Sequence, residues 1–311
     1  MSDLYPKPAT ASCDSKNEQI YYTSEIRQMM HGFGDCSEPL IESAKIIEDV
    51  VLQQMRTIVN KAYEGADRRG SHTVTAEDFI FLLRKDKVKL QRLIKYLELK
   101  DFKATMKKTI DTDPIESALE SDNFDKYKVA KKSYHNFVSL IDVNGELLKS
   151  GSTVDYVKQN RSLRAEMMTR KMDETRYIEF SKARRVSFAN SNRHKFSDWV
   201  CSDGDINISK QGYVVLGYLA YETVAQIVDL AFIVRQDQNK IHGDAIDRLR
   251  LSYFNPYTYK PYQHNKGVIT KAITPAEINE ALRRYWSPQL DISGPFHRSS
   301  MRRQHPKLLS C

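Results

Sequence analysis

Thr73-Val74-Thr75-Ala76-Glu77-Asp78 is the stretch on which the fold turns. Thr73-Val74 is a short β-prone run. Thr75 then reads as a helix N-cap with an acid, Asp78, three residues on, a spacing that lets hydroxyl and carboxylate satisfy each other's orphan amides. Phe79, Ile80, Leu82 and Leu83 continue as a short helix that ends near Lys85-Asp86. Upstream of the polar turn Gly65–His72 lies a long helix, Pro39 to Glu64. Leu40, Ala44, Ile47, Val51, Met55, Ile58 and Ala62 recur every three or four residues and form one apolar stripe. Ile46, Val50 and Val59 widen it, so more than one face is buried. Pro39 suits the first turn, and the helix would span ~39 Å at ~1.5 Å per residue. Before it, Thr23 or Ser24 caps a short helix through Met30, which Gly32-Phe33-Gly34 stops. The loop Asp35–Glu38 follows. Beyond the short helix a fourth one, Val88 to Asp101, carries Leu90, Leu93, Ile94 and Leu97 on one side.

The short–long–short order recurs from Arg193, as a search for internal repeats requires. Phe196, Trp199 and Val200 mark a short helix over His194–Cys201, and Asp203-Gly204-Asp205 turns into the extended run Ile206-Asn207-Ile208. A second long helix, Lys210 to Gln238, is more apolar than the first. Thr274-Pro275-Ala276-Glu277 combines an N-cap Thr, Pro at the first position and Glu at the third, a capping box. Ile278, Ala281, Leu282 and Tyr285 form the face of that last helix. The loop before it, Asn239 to Thr270, is long and aromatic (Tyr253, Phe254, Tyr257, Tyr259, Tyr262), and reads either as padding or as a partner-contact loop.

Residues 1–20 read as a flexible leader, 21–102 as the first unit, 103–192 as a linker, 193–286 as the second unit and 287–311 as a basic tail. Within the linker, Asp111 to Asp125 holds six acidic residues and no basic one and reads as a solvated run. Tyr127–Leu140 and Val154–Phe180 read as helices, the latter leaning on a folded neighbour.

Short helix, loop, long helix, loop with a β-prone run, short helix is the order of a histone fold. Thr73–Asp78 resembles the start of a core histone's third helix. That resemblance implies an Arg of the preceding loop, Arg68 or Arg69, paired with Asp78. A lone histone fold leaves its long helix half exposed, and two copies in one chain can cover each other. The fold expected is therefore all-α, with two histone folds forming an intramolecular histone-like pair joined by a partly helical linker. The first loop of each copy should lie beside the second loop of the other as a short parallel strand pair.

The chain also resembles the suppressor-of-Ty-three family, the twin-histone-fold subunit of the SAGA transcription coactivator. The strings that carry this are Glu25-Ile26-Arg27-Gln28-Met29-Met30-His31-Gly32-Phe33-Gly34-Asp35, Ile46-Ile47-Glu48-Asp49-Val50-Val51 and Leu83-Arg84-Lys85-Asp86 in the first fold. Leu219-Ala220-Tyr221-Glu222-Thr223-Val224-Ala225-Gln226-Ile227-Val228-Asp229-Leu230-Ala231 and Val234-Arg235-Gln236-Asp237 carry it in the second. Met172-Asp173, Tyr177-Ile178-Glu179-Phe180 and Ser187-Phe188 carry it in the linker. The resemblance implies a nuclear, non-enzymatic subunit that helps deliver TATA-binding protein to promoters. It further implies a pair comparable to TATA-binding-protein-associated factors in TFIID, docked beside other histone-fold subunits of SAGA, with promoter DNA reached indirectly.

Composition narrows the alternatives. The 311 residues are 41% hydrophobic and 28% charged, enough for a core and too balanced for wholesale disorder. No stretch free of charge approaches the ~18 apolar residues of a membrane span, and the N-terminus lacks a signal peptide's apolar core, so a soluble intracellular chain is expected. Cys13, Cys36, Cys201 and Cys311 lie far apart, without the pairing of a disulfide framework or a zinc site. No Gly-rich phosphate loop, HExxH or GxSxG occurs, and Gly32-Phe33-Gly34 is too short for a phosphate cradle. No enzyme, cofactor, metal or small-molecule substrate is expected. Net charge is +8, but residues 1–102 carry 15 basic and 16 acidic side chains, residues 103–192 carry 17 and 13, and residues 193–311 carry 16 and 11. A nearly neutral first third argues against a protein coated with DNA.

Two surfaces are candidates. Glu222, Gln226 and Asp229, spaced four and three apart, share a narrow face of the second long helix and read either as a solvent stripe or as an acidic strip for basic TATA-binding protein. Arg68, Arg69, Lys271 and Arg302-Arg303 would serve the alternative, a histone pair that binds or bends DNA directly. The tail bases Arg298, Arg302, Arg303 and Lys307 read as a solvated run or an electrostatic arm.

Overall fold

The computed structural model describes residues 20–112, 133–142, 145, 154–170, 172–188, 193–201, 206–239, 271–287 and 308–310. The elements are α1 (Thr23–Phe33), α2 (Ile41–Arg68), β1 (Thr73–Val74), α3 (Ala76–Leu82), α4 (Lys87–Thr112), α5 (Ser133–Ile141), α6 (Tyr156–Thr169), α7 (Glu174–Ala183), α8 (Arg193–Val200), β2 (Asn207–Ile208), α9 (Lys210–Asn239) and α10 (Pro275–Trp286). A single 3₁₀ turn, Leu83–Lys85, follows α3. The leader, the loop 240–270 and most of the tail lie outside the described residues, as do Val268-Ile269-Thr270, the aromatic loop side chains and Arg302-Arg303.

Two histone folds face each other head to tail in one chain. α1 and α3 of the first fold pack on α9 of the second, while α8 and α10 of the second pack on α2 of the first, and α2 crosses α9 at the centre. Ile47, Val51, Met55 and Ile58 of α2 are fully buried, as are Val215, Leu216, Leu219, Val224, Ile227 and Val228 of α9. By length and composition α9 is apolar enough to cross a membrane, with a mean hydropathy of 1.3 over its best window. Here that apolar surface is buried in the pair, as a helix hydrophobic all round requires.

The expected parallel pairing forms at one end. Thr73 lies beside Asn207 and Val74 beside Ile208, joining the second loop of the first fold to the first loop of the second. At the other end, side chains make the contact. Ile273 N donates to Asp35 Oδ1 at 3.0 Å, and Ser43 Oγ donates to the Ile273 carbonyl at 2.7 Å.

Several boundaries differ from the sequence reading. The first helix is capped neither by Thr23 nor by Ser24; its N-cap is Tyr22. Buried Glu48 of α2 accepts from the Tyr22 amide at 2.5 Å and from the Thr23 hydroxyl, so a tertiary carboxylate takes the amide of the N-cap residue and engages the hydroxyl expected to cap. Helix α1 ends at Gly34, whose φ of 116° is left-handed, with Asp35 N bonded back to the Met30 carbonyl at 3.0 Å. Helix α4 runs eleven residues past Asp101, because no Gly or Pro interrupts residues 102–112. Val154–Phe180 is two helices: Asp155 caps α6 by accepting from Lys158 N, and Asp173, in extended backbone, opens α7. Of the predicted Tyr127–Leu140 helix, residues 127–132 lie outside the described residues and the rest is within α5.

Candidate functional site

Glu222 and Asp229 are two turns apart on one side of α9, and the linker returns across that side. α6 brings Arg161 and Arg164, three residues apart on one face, against it, while Arg92 reaches in from α4. Arg92 donates from Nη1 to Glu222 Oε2 at 2.8 Å, and from Nε and Nη2 to Asp155 at 2.7 and 2.8 Å. Arg161 bridges the strip, from Nη1 to Glu222 at 3.0 and 3.2 Å and from Nε to Asp229 Oδ2 at 2.6 Å. Arg164 pairs with the other Asp229 oxygen. Three guanidiniums meet three carboxylates, so the cluster is neutral.

This corrects the expectation of a free acidic strip. Glu222 and Asp229 are bound from within the chain, and Gln226 between them is partly buried. Burial alone would raise both carboxyls, but the adjacent guanidiniums outweigh it and hold them below the ordinary range. Asp155 is lowered in the same way by Arg92. The Glu222 and Asp229 carboxylates are both tied up in ion pairs within the chain. They clamp. Removing one member would strand a buried charge, at a cost of about 3–5 kcal/mol.

Gly32-Phe33-Gly34 turns out to be the seat of the linker. A Cβ on Gly32 would lie 3.2 Å from the backbone of Ala183 and Arg184 at the end of α7. One on Gly34 would come within 2.7 Å of Arg164 Cδ, in a backbone conformation that side chains rarely adopt. Phe33 packs on Tyr221 at 4.8 Å between ring centres, the rings tilted by 55°, and the Arg161 guanidinium lies 5.8 Å from the centre of the Phe33 ring. Further along, Phe180 meets His31 edge-on, and Phe188 stacks on Trp199 at 5.8 Å within a cluster that includes Tyr22 and Phe196. The linker is thereby fastened to both folds.

The loop clamps come out as follows. Arg69, not Arg68, pairs with Asp78, from Nη2 to Oδ2 at 2.7 Å, and Arg68 is exposed. Asp78 also accepts from Thr75 N at 2.8 Å, the expected cap. In the second fold Thr274 N donates to Glu277 at 2.8 Å and Glu277 N donates to Thr274 Oγ1 at 3.3 Å. Arg235 then grips Glu277 with two bonds of 2.7 Å and donates to the carbonyls of Lys271 and Ala272. Sequence reading missed Arg235 as a clamp. Its signal was present: like Arg69, it precedes a helix-opening acid, but the long loop after it hid the equivalence. Arg92, Arg161 and Arg164 carried no local signal. Lys271 is exposed. Among the described residues no three His, Cys, Asp or Glu side chains are grouped as metal ligands would be.

Comparison with known proteins fits this architecture. Residues 20–112 match the family model for the 18 kDa subunit of transcription initiation factor IID. TFIID subunit 13 of Dictyostelium discoideum is 35% identical over 102 residues, a third of this chain and 94% of that protein. The SAGA complex subunit Spt3 of Schizosaccharomyces pombe is 27% identical over 286 residues, 86% of this chain and 90% of the relative. The chain belongs to the Spt3 and TFIID 18 kDa-subunit family. The Spt3 of Drosophila melanogaster is 27% identical over 84% of this chain. Similarity to the TFIID subunits covers about the first fold, whereas similarity to the Spt3 relatives extends through the linker and the second fold.

Proposed function

We propose that this protein is a nuclear, non-enzymatic coactivator subunit of a SAGA-type complex. Its histone pair would bind TATA-binding protein and help deliver it to RNA polymerase II promoters, docked beside other histone-fold subunits. The observation that carries this reading is the extent of the Spt3 similarity, which takes in both folds and the linker between them. A linker clamped by Arg92, Arg161 and Arg164 gives such a scaffold one fixed shape, and a fixed shape lowers the ordering cost of docking. In this reading Glu222 and Asp229 serve partner binding by holding the linker, not by touching the partner.

The test is a pull-down of the tagged full chain from nuclease-treated nuclear extract. Recovery of TATA-binding protein with histone-fold coactivator subunits is expected. Recovery of core histones alone, or of partners lost after nuclease, would overturn the scaffold reading in favour of direct DNA binding. A steep fall of binding with salt would point the same way.

A further inference from the structure

Helix α4 outgrows the body of the pair, and its far half presents an apolar stripe that no described element covers. Leu90, Leu93, Ile94 and Leu97 face the core and are buried. On the opposite side Leu99 is 59% exposed, Phe102 51% and Met106 40%. At 100° per residue these three fall within about 60° of one another, a single line along the helix. Isolated exposed apolar residues are ordinary, but three in register on a helix that projects from its domain form a contact face.

The exposed charges around the stripe are mostly basic. Lys95, Lys103 and Lys107 are exposed on its flanks. Asp101 lies round the other side, where it accepts from the Tyr134 hydroxyl at 2.9 Å, and Glu98, one turn before Phe102, is the one acid beside the stripe among the described residues, 3.8 Å from His135 of α5. Arg92, two turns before Leu99 on the same face, is used up by Asp155 and Glu222, which fixes the base of the helix. That pairing also brings the start of α6, with exposed Val154, to the same end of the stripe.

We propose that the Leu99–Phe102–Met106 face of α4 is a docking surface for an acidic partner segment, one that interleaves Asp or Glu with large apolar side chains. Its apolar groups would cover the stripe and its carboxylates would meet Lys95, Lys103 and Lys107. Steering by the lysines would speed encounter, and the apolar stripe would set the lifetime. This surface is separate from the clamp on α9 and does not depend on the TATA-binding-protein reading.

The experiment uses the full chain and a fluorescein-labelled helical peptide of Glu, Asp, Leu and Phe, with a control in which Lys replaces every acid, read by anisotropy. Binding of the acidic peptide alone is expected. Leu99→Ala with Phe102→Ala should weaken it at least about tenfold, as loss of an apolar anchor does. Both positions are exposed, so thermal melting should be unchanged. Lys103→Glu with Lys107→Glu should weaken it and flatten its salt dependence. No binding, equal binding of the control, or insensitivity to Leu99→Ala with Phe102→Ala would each overturn the proposal. So would binding that appears only after the acids of residues 111–125 are replaced by Asn and Gln, since the face would then be taken from within the chain.

Discussion

The two folds close their second loops with the same device and very different investment. In the first, Arg69 makes one bond to Asp78 and its side chain is 44% exposed. In the second, Arg235 is 13% exposed, grips Glu277 with two bonds and ties two backbone carbonyls as well. The described residues between long and short helix differ too. The first fold crosses from α2 to α3 over a few residues, and strand pairing at Thr73-Val74 holds the crossing. In the second, residues 240–270 lie outside the described residues, and Lys271 to Thr274 are what is described before the helix. The described approach to α10 is held instead by a partly buried bidentate arginine, the stronger kind of pairing.

That contrast can be broken by substitution. Arg235→Ala should have the largest effect, a loss of about 3–5 kcal/mol in urea unfolding, because Glu277 and two carbonyls lose their partner in a protected site. If Arg235→Ala and Arg69→Ala prove equal, the difference in burial has no energetic meaning.

An acid titration comes next. Burial would raise the Glu277 carboxyl, but Arg235 and the Thr274 amide outweigh this and lower it, as arginines do for Glu222, Asp229 and Asp155. A carboxyl depressed by folding contributes stability above its unfolded value, about 4, and loses it as pH falls through the folded value. The melting temperature should therefore drop below about pH 4, and the gap between wild type and Arg235→Ala should narrow there. Asp35 has the opposite sign: burial raises its carboxyl despite bonds from Cys36 and Ile273, so its contribution belongs to low pH and fades as pH rises through the folded value. A melting temperature that holds or rises below pH 4 would mean that Asp35 outweighs the four clamped carboxyls.

Thr274→Ala and Thr75→Ala should each cost about 1 kcal/mol, the usual worth of an N-cap, with nearly equal values because the caps are alike. The smallest effect expected is that of Arg69→Ala, below about 1 kcal/mol, since an exposed ion pair is screened by water and salt. A guanidinium-melt series that ranks these four variants otherwise would show which part of the clamp comparison fails.

Much of the fold was legible because it rests on periodicity and caps. α2, α3, α9 and α10 follow from apolar spacing, from Thr75 with Asp78, and from Thr274 with Glu277. The β1–β2 pairing followed once the repeat was seen. The candidate site was legible only in part. Glu222 and Asp229 stood out as a polar strip on an apolar helix, and a strip of carboxylates looks the same in sequence whether it meets solvent, a partner or an arginine sixty residues away. The start of α1 was misread for the same reason: Glu48 of another helix takes the Tyr22 amide and the Thr23 hydroxyl, and no local rule reaches across 26 residues.

What the sequence determined by itself was the set of elements and their duplication, since hydrogen bonding and amphipathic period act over a few residues. What only the tertiary structure decided was which charges meet. Arg161 pairs with Glu222 and Asp229 because α6 is seated on Gly32-Phe33-Gly34 and α9 lies beneath it. Ion pairing depends on distances of a few ångströms between atoms far apart along the chain, and only packing sets those.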